Sequence, residues 1–193
     1  MHKLFVTEGV VLGKRGVGEA NVLLAILTKD LGLVKAVARS ARRESSKLRY
    51  GLEPLTSATY SFIRGRHEWK LVGAERASAP LRADAVPLEA RQAAGRATRL
   101  LLRLIHGEEE NPALFAAVAE GLHAFARVPA QTAQIETVLV LRVLSHLGYL
   151  PQTPELKPFI ERDFFAIELA EEVAASKALL NKAIQDSLNA TGL

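Results

Sequence analysis

Between Lys35 and Tyr50 the chain carries Lys35, Arg39, Arg42, Arg43, Lys47 and Arg49 against a single acid, Glu44. Cations at this density suit the neutralisation of phosphates, each of which releases a condensed counterion as it is covered. Arg42, Arg43, Ser45, Ser46 and Lys47 have almost no apolar neighbour, which predicts a solvated loop. Tyr50, beside Arg49 at the end of that loop, is expected to face outward, where an aromatic ring can stack on a base. Tyr60, Phe62, His67 and Trp69 could stack in the same way, although for Phe62 and Trp69, on strands, a place in the core is the stronger reading. Arg64 and Arg66, beside a glycine, would extend the cationic surface from a hairpin tip. The competing reading is a charged loop that serves solubility alone.

Bond-making chemistry has little to stand on. The 193 residues contain no cysteine, which excludes disulfides, thiol catalysis and cysteine-ligated zinc. The five histidines (His2, His67, His106, His123, His146) do not fall at metal-ligand or nucleophile–base spacings. Glu108-Glu109-Glu110 could hold magnesium on paper, but between Gly107 and Asn111-Pro112 it reads as a solvated loop. Gly16-Val17-Gly18 is followed by a strand and by no Lys-Ser/Thr pair, so it is a poor nucleotide loop. A non-enzymatic protein without metal or cofactor is expected.

The elements that position the cations alternate with a period of two. Thr7–Leu12, Val22–Thr28, Leu33–Val37, Thr56–Ile63 and Trp69–Glu75 read as five strands, with Gly13–Gly18 as a turn or bulge and Gly65-Arg66 as a hairpin turn. Five short strands, with the long connection after the third, fit a closed OB-fold barrel, with an SH3-like barrel as the alternative. Beyond Pro87 the period becomes 3.6. Ala93, Ala94, Ala97, Leu100, Leu101, Leu104 and Ile105 make one helical face. Asn111-Pro112 caps a second helix that runs to Pro129. Ala130–Leu147, apolar nearly all round, predicts the central helix of a bundle. Gly148–Pro158 reads as a loop, 164–175 as a helix, and Ser176 as the cap of a last helix lined by Leu179, Leu180, Ala183, Ile184 and Leu188.

Charge divides with the pattern: residues 1–76 carry a net +7 and the remainder −3, which sum to the formal +4. An OB-fold domain over 1–79 and a helical domain over 80–193 is the simplest partition, and the basic one should meet a polyanion. No apolar run reaches bilayer length, and Met1-His2-Lys3 leads straight into strand-like sequence, so cytoplasmic location without a membrane partner is expected.

The ordered segments Thr7–Leu12, Gly18–Thr28, Gly32–Ala38, Ala41–Arg43, Ser46–Arg49, Leu52–Leu55, Arg64–Arg66 and Trp69–Glu75 resemble the bacterial RecO family of DNA repair proteins, and Leu141–Tyr149 resembles the end of that family's central helix. The resemblance covers the whole N-terminal part and is patchier in the helical half. It implies a recombination mediator that binds single- and double-stranded DNA and anneals complementary strands. It also implies work with RecR to load RecA onto gaps coated by the single-strand-binding protein SSB, at the nucleoid. By that resemblance the DNA-binding role falls on Lys35, Arg39, Arg42, Arg43, Lys47 and Arg49. The SSB C-terminal tail, acidic and ending in phenylalanine, would be met by the helical half. Arg96, Arg99, Arg103, Arg142 and His146 are the candidates there, with an arginine gripping the terminal carboxylate. The competing reading is a solvated stripe for the first three and an internal ion pair for Arg142. RecO proteins commonly carry a four-cysteine zinc module after the Leu-Gly-Tyr segment. Here Leu150–Leu156 passes directly into Lys157-Pro158-Phe159, which suggests a compact, metal-free member. Two other classes stay open: an adaptor that binds SSB or RecR without DNA, and an OB-fold RNA-binding factor.

Overall fold

Burial alternates residue by residue along residues 21–26 and 57–63, as expected of strands with one face on a core. The computed structural model describes residues 3–44, 46, 48–164 and 167–192, excepting the side chains of Arg49, Ile167 and Glu168. Five strands, β1 (Leu4–Val17), β2 (Asn21–Thr28), β3 (Gly32–Ala38), β4 (Ser57–Arg64) and β5 (Trp69–Ser78), close into a barrel in the order β1-β2-β3-β5-β4. All neighbours are antiparallel except β3 and β5, which pair parallel through Ala36↔Trp69 and Ala38↔Leu71. This is the OB-type barrel that the strand pattern predicts.

The strand β1 is longer than the sequence suggests. Gly13–Val17 does not turn but continues as strand, paired from Gly13↔Ala25 to Val17↔Asn21, with a register shift between Val11 and Gly13. Pairing with β2 satisfies the backbone of these glycines, so the reversal waits for Gly18, whose φ of +58° suits a residue without a Cβ. The barrel core contains Val11, Leu24, Ile26, Val34, Tyr60, Phe62, Trp69 and Leu71.

Among the described residues six α-helices follow: α1 (Leu88–Leu104), α2 (Pro112–Arg127), α3 (Thr132–His146), α4 (Lys157–Glu161), α5 (Ile167–Ala175) and α6 (Lys177–Thr191). Asn111 caps α2 by accepting from the Leu114 N–H at 2.9 Å, with Pro112 next in line. Helix α3 packs against α1, α4, α5 and α6, and is the central helix of its group. The short α4 falls at the end of the expected loop, where Pro158 is tolerated because a first-turn residue needs no amide hydrogen. Ser176 precedes α6 but makes no side-chain cap. That helix buries only Leu180 and Ser187, and Leu179, expected on its inner face, is exposed. The chain forms two compact units, residues 1–80 with 106–115, and 81–105 with 116–193. Among the described residues no helix is long and apolar enough to cross a membrane.

Candidate nucleic-acid interface

Lys35 is the one fully outward side chain of β3, whose other residues are buried or half-buried. The chain leaves the strand through Arg39 and Ser40, and here it is tied down twice. The Ser40 N–H donates to Asn21 Oδ1 at 3.0 Å, and the Arg42 N–H donates to the Ala20 carbonyl at 3.0 Å. Between them Ala41 is buried at 4% exposure. An apolar anchor flanked by two backbone ties turns Arg42 and Arg43 to solvent, and both are exposed. Arg42 also reaches the Gly18 carbonyl at 3.5 Å, at the tip of the β1–β2 hairpin.

The far end of the connection is anchored in the same way. Arg49–Gly51 forms a 3-10 turn, and the buried Tyr60 hydroxyl donates to the Gly51 carbonyl at 2.7 Å. Leu52 is buried at 1% exposure, whereas Tyr50, between these anchors, is 85% exposed. Lys47 and the side chain of Arg49 lie outside the described residues.

Parallel pairing of β3 with β5, with Ala36 opposite Trp69, puts the β4–β5 hairpin beside the first half of β3, ahead of the strand's exit into this loop. Arg66 and His67 are exposed at its tip. Arg39 lies 3.9 Å from Glu68, and Arg64 lies 3.3 Å from Glu108, so these two cations have carboxylate neighbours. Lys35, Arg42, Arg43 and Arg66 form no ion pair with any described residue. Phe62 and Trp69 take the core places favoured for them, and Tyr60 joins them. Tyr60, Phe62 and Trp69 are core residues, at 0%, 0% and 5% exposure, because strand alternation turns them inward. Phe5 and Phe62 pack edge-on against Trp69 with centroids 5.1 and 6.2 Å away. Of the proposed stacking residues, Tyr50 and His67 are exposed.

Two features of this surface were not signalled by local sequence. Lys14, on β1, pairs with Glu53 at 2.7 Å across an open groove that Arg42, Glu44 and Leu52 also line. Glu108, expected in a solvated loop, accepts from Trp69 Nε1 at 2.8 Å as well as pairing with Arg64.

In the helical unit, the five tail-binding candidates separate. Arg96 is held by Glu136 in a two-pronged contact of 2.8 and 2.6 Å, which raises its pKa above the ordinary guanidinium value. Arg99 and Arg103 are exposed on α1 and form no ion pair among the described residues. Arg91, Gly95, Arg96 and Arg99 line an open groove with the exposed Leu88 at its end. Arg142 takes the interior place of its competing reading, at 4% exposure. Its guanidinium donates to the carbonyls of Phe159 (3.2 Å) and Arg162 and lies over the Phe164 ring at 3.9 Å. Glu120, 3.8 Å away, is a peripheral counter-charge. Burial depresses the Arg142 pKa, with Glu120 and Asp163 opposing. The half-buried His146 is held below its ordinary pKa, first by burial and then by Arg142.

A closed barrel of this strand order with cations on the connection after β3 defines the class: an OB-type domain, here followed by helices. Two models of one family match in succession, Recombination protein O N terminal over residues 1–77 and Recombination protein O C terminal over 88–154. The chain belongs to the RecO family. Relatives named DNA repair protein RecO include that of Heliobacterium modesticaldum, 28% identical over 152 residues (78% of this chain and 54% of the relative). The protein of that name from Bifidobacterium adolescentis is 33% identical over 154 residues (77% and 61%). That from Streptomyces griseus subsp. griseus is 32% identical over 157 (77% and 62%). The chain thus spans between 54% and 62% of the length of these curated relatives.

Proposed function

We propose that the barrel binds the sugar-phosphate backbone of single- and double-stranded DNA through Lys35, Arg39, Arg42, Arg43, Lys47 and Arg49, with Arg64 and Arg66 extending the surface and Tyr50 stacking on a base. The observation that carries this reading is the double anchoring of the β3–β4 connection. Ala41 and Leu52 are buried while Arg42, Arg43 and Tyr50 between them are exposed. A loop kept only for solubility has no need to be held at both ends. Phosphates carry no base information, so sequence preference should be slight. Neutralising two backbones lets complementary strands approach, and base pairing then drives annealing without ATP.

In this reading segment 1–79 engages DNA and segment 80–193 engages protein partners. The whole acts as a recombination mediator that, with RecR, helps RecA onto SSB-coated gaps. For the SSB tail, Arg99 is the best-placed candidate. It is exposed in a groove with Arg91, beside the gap left by Gly95, with Leu88 offering apolar surface. Arg96 reaches the same groove from its pair with Glu136.

The test is fluorescence anisotropy with a labelled single-stranded oligonucleotide across a salt series. With about five phosphate contacts the log–log slope should be near −3.5, at ~0.7 per contact. The Arg42→Ala/Arg43→Ala/Lys47→Ala variant should bind more weakly with a slope shallower by ~2. No binding by the wild type at low salt overturns the reading in favour of an adaptor. Tighter binding to RNA, without annealing of DNA, favours an RNA-binding factor.

A further inference from the structure

Glu108 comes from the segment between α1 and α2, yet it belongs to the barrel unit and bonds to β4 and β5 residues. One carboxylate oxygen accepts from Trp69 Nε1 at 2.8 Å, and the other lies 3.3 Å from Arg64 Nη1. The Arg64 guanidinium in turn lies over the Trp69 ring at 5.0 Å. The same segment touches the β2–β3 turn: a Cβ on Gly32 would fall 2.3 Å from the Glu109 carbonyl oxygen. A short acidic loop is therefore seated on the barrel with one carboxylate on an arginine of the cationic hairpin. The arginine and glutamate side chains are 64% and 40% exposed, which leaves the pair open to an incoming anion.

We propose that Glu108 is a displaceable stand-in for a nucleic-acid phosphate: Arg64 exchanges this carboxylate for a backbone phosphate when single-stranded DNA binds, and the 106–110 loop is released from Trp69. The inference rests on the nucleic-acid reading above. Its physical basis is that an exposed carboxylate–guanidinium pair is weakly held and salt-screened. A polyanion, by contrast, offers a phosphate together with the entropy of its released counterions. The carboxylate would then set a threshold, so that isolated anions leave the loop seated and a long phosphate chain unseats it.

Anisotropy with an oligothymidylate tests this on the full chain, using Arg64→Ala, Glu108→Gln and the double variant. Glutamine keeps an acceptor for the indole N–H and removes only the charge. Exchange predicts that Arg64→Ala alone makes the salt slope shallower by ~0.7, because Arg64 reaches phosphate despite Glu108. It predicts that Glu108→Gln tightens binding about threefold at low salt with the wild-type slope, and that this gain disappears when Arg64 is alanine. A wild-type slope equal to that of Arg64→Ala means that Glu108 never lets go, and overturns the proposal. A gain from Glu108→Gln that survives in the Arg64→Ala background is a general charge effect and overturns it too. In both cases weaker binding by Arg42→Ala/Arg43→Ala would show that the nucleic-acid reading still stands. Absence of any binding by the wild type removes both.

Discussion

The hydroxyl of Tyr60 donates a 2.7 Å hydrogen bond to the carbonyl of Gly51, tying the middle of β4 to the last residue of the turn that ends the cationic loop. Gly51 is itself pressed against the barrel, since a Cβ there would lie 2.8 Å from the Ala74 side chain. Burial pushes the phenol's pKa above the ordinary tyrosine value, so it remains a donor at any working pH. Tyr60→Phe keeps the ring in the core and leaves a buried carbonyl short of a partner. The expected loss is about 1–2 kcal/mol, read as a lower urea midpoint at unchanged slope.

Tyr50 and Arg43 are both exposed on the same connection, but they should act on DNA through different terms. Arg43→Ala should weaken oligonucleotide binding and make the salt slope shallower by ~0.7. Tyr50→Ala should weaken it by about 1–3 kcal/mol of stacking with the slope unchanged. Anisotropy at several salt concentrations separates the two, and identical slope changes would contradict the assignment of Tyr50 to stacking.

Arg142 predicts a loss of stability with no direct loss of DNA binding. Its guanidinium serves two carbonyls, those of Phe159 and Arg162, and it covers the Phe164 ring. Arg142→Ala leaves those carbonyls unpaired beside a void, at an expected cost of about 2–4 kcal/mol. Urea unfolding followed by circular dichroism, which is dominated here by helices, measures it. Oligonucleotide affinity at low denaturant should be that of the wild type.

His146 gives stability a pH dependence of definite sign. Its folded pKa lies below the ordinary 6.5, so in that range the unfolded chain binds the proton more readily. The group's contribution is complete at neutral pH, falls as pH drops below about 6.5, and is fully lost once pH is under the folded value. The urea midpoint should therefore decline more between pH 7.5 and 5.5 for the wild type than for His146→Gln.

The barrel was legible because its signals are local. The aliphatic run Val22–Thr28 and the β-formers of Thr56–Ile63 mark strands by residue type and local repeat, and Asn111-Pro112 marks a helix start by capping chemistry alone. The exposure of Arg42, Arg43 and Tyr50 was legible for the same reason, since their neighbours offer little to bury. Gly13–Val17 was legible only as a turn or bulge, because glycine permits both, and pairing with β2 decided for a strand with a register shift at its start. Arg142 was left between a tail-binding cation and an internal ion pair for a related reason. A charge on an apolar helix is compatible with both until the carbonyls of a later segment, 17 residues on at Phe159, come to meet it.

Composition and periodicity alone established a basic β-rich part, an acidic helical part and a cationic connection after the third strand. These depend on each residue and its near neighbours, through strand and helix repeats, capping and charge density. Tertiary structure decided which of the cations already have a partner. Arg39 meets Glu68 and Arg64 meets Glu108, 44 positions further along the chain, while Arg42 and Arg43 meet no carboxylate among the described residues. An ion pair acts over a few ångströms of space, and only folding converts distance along the chain into distance between charges.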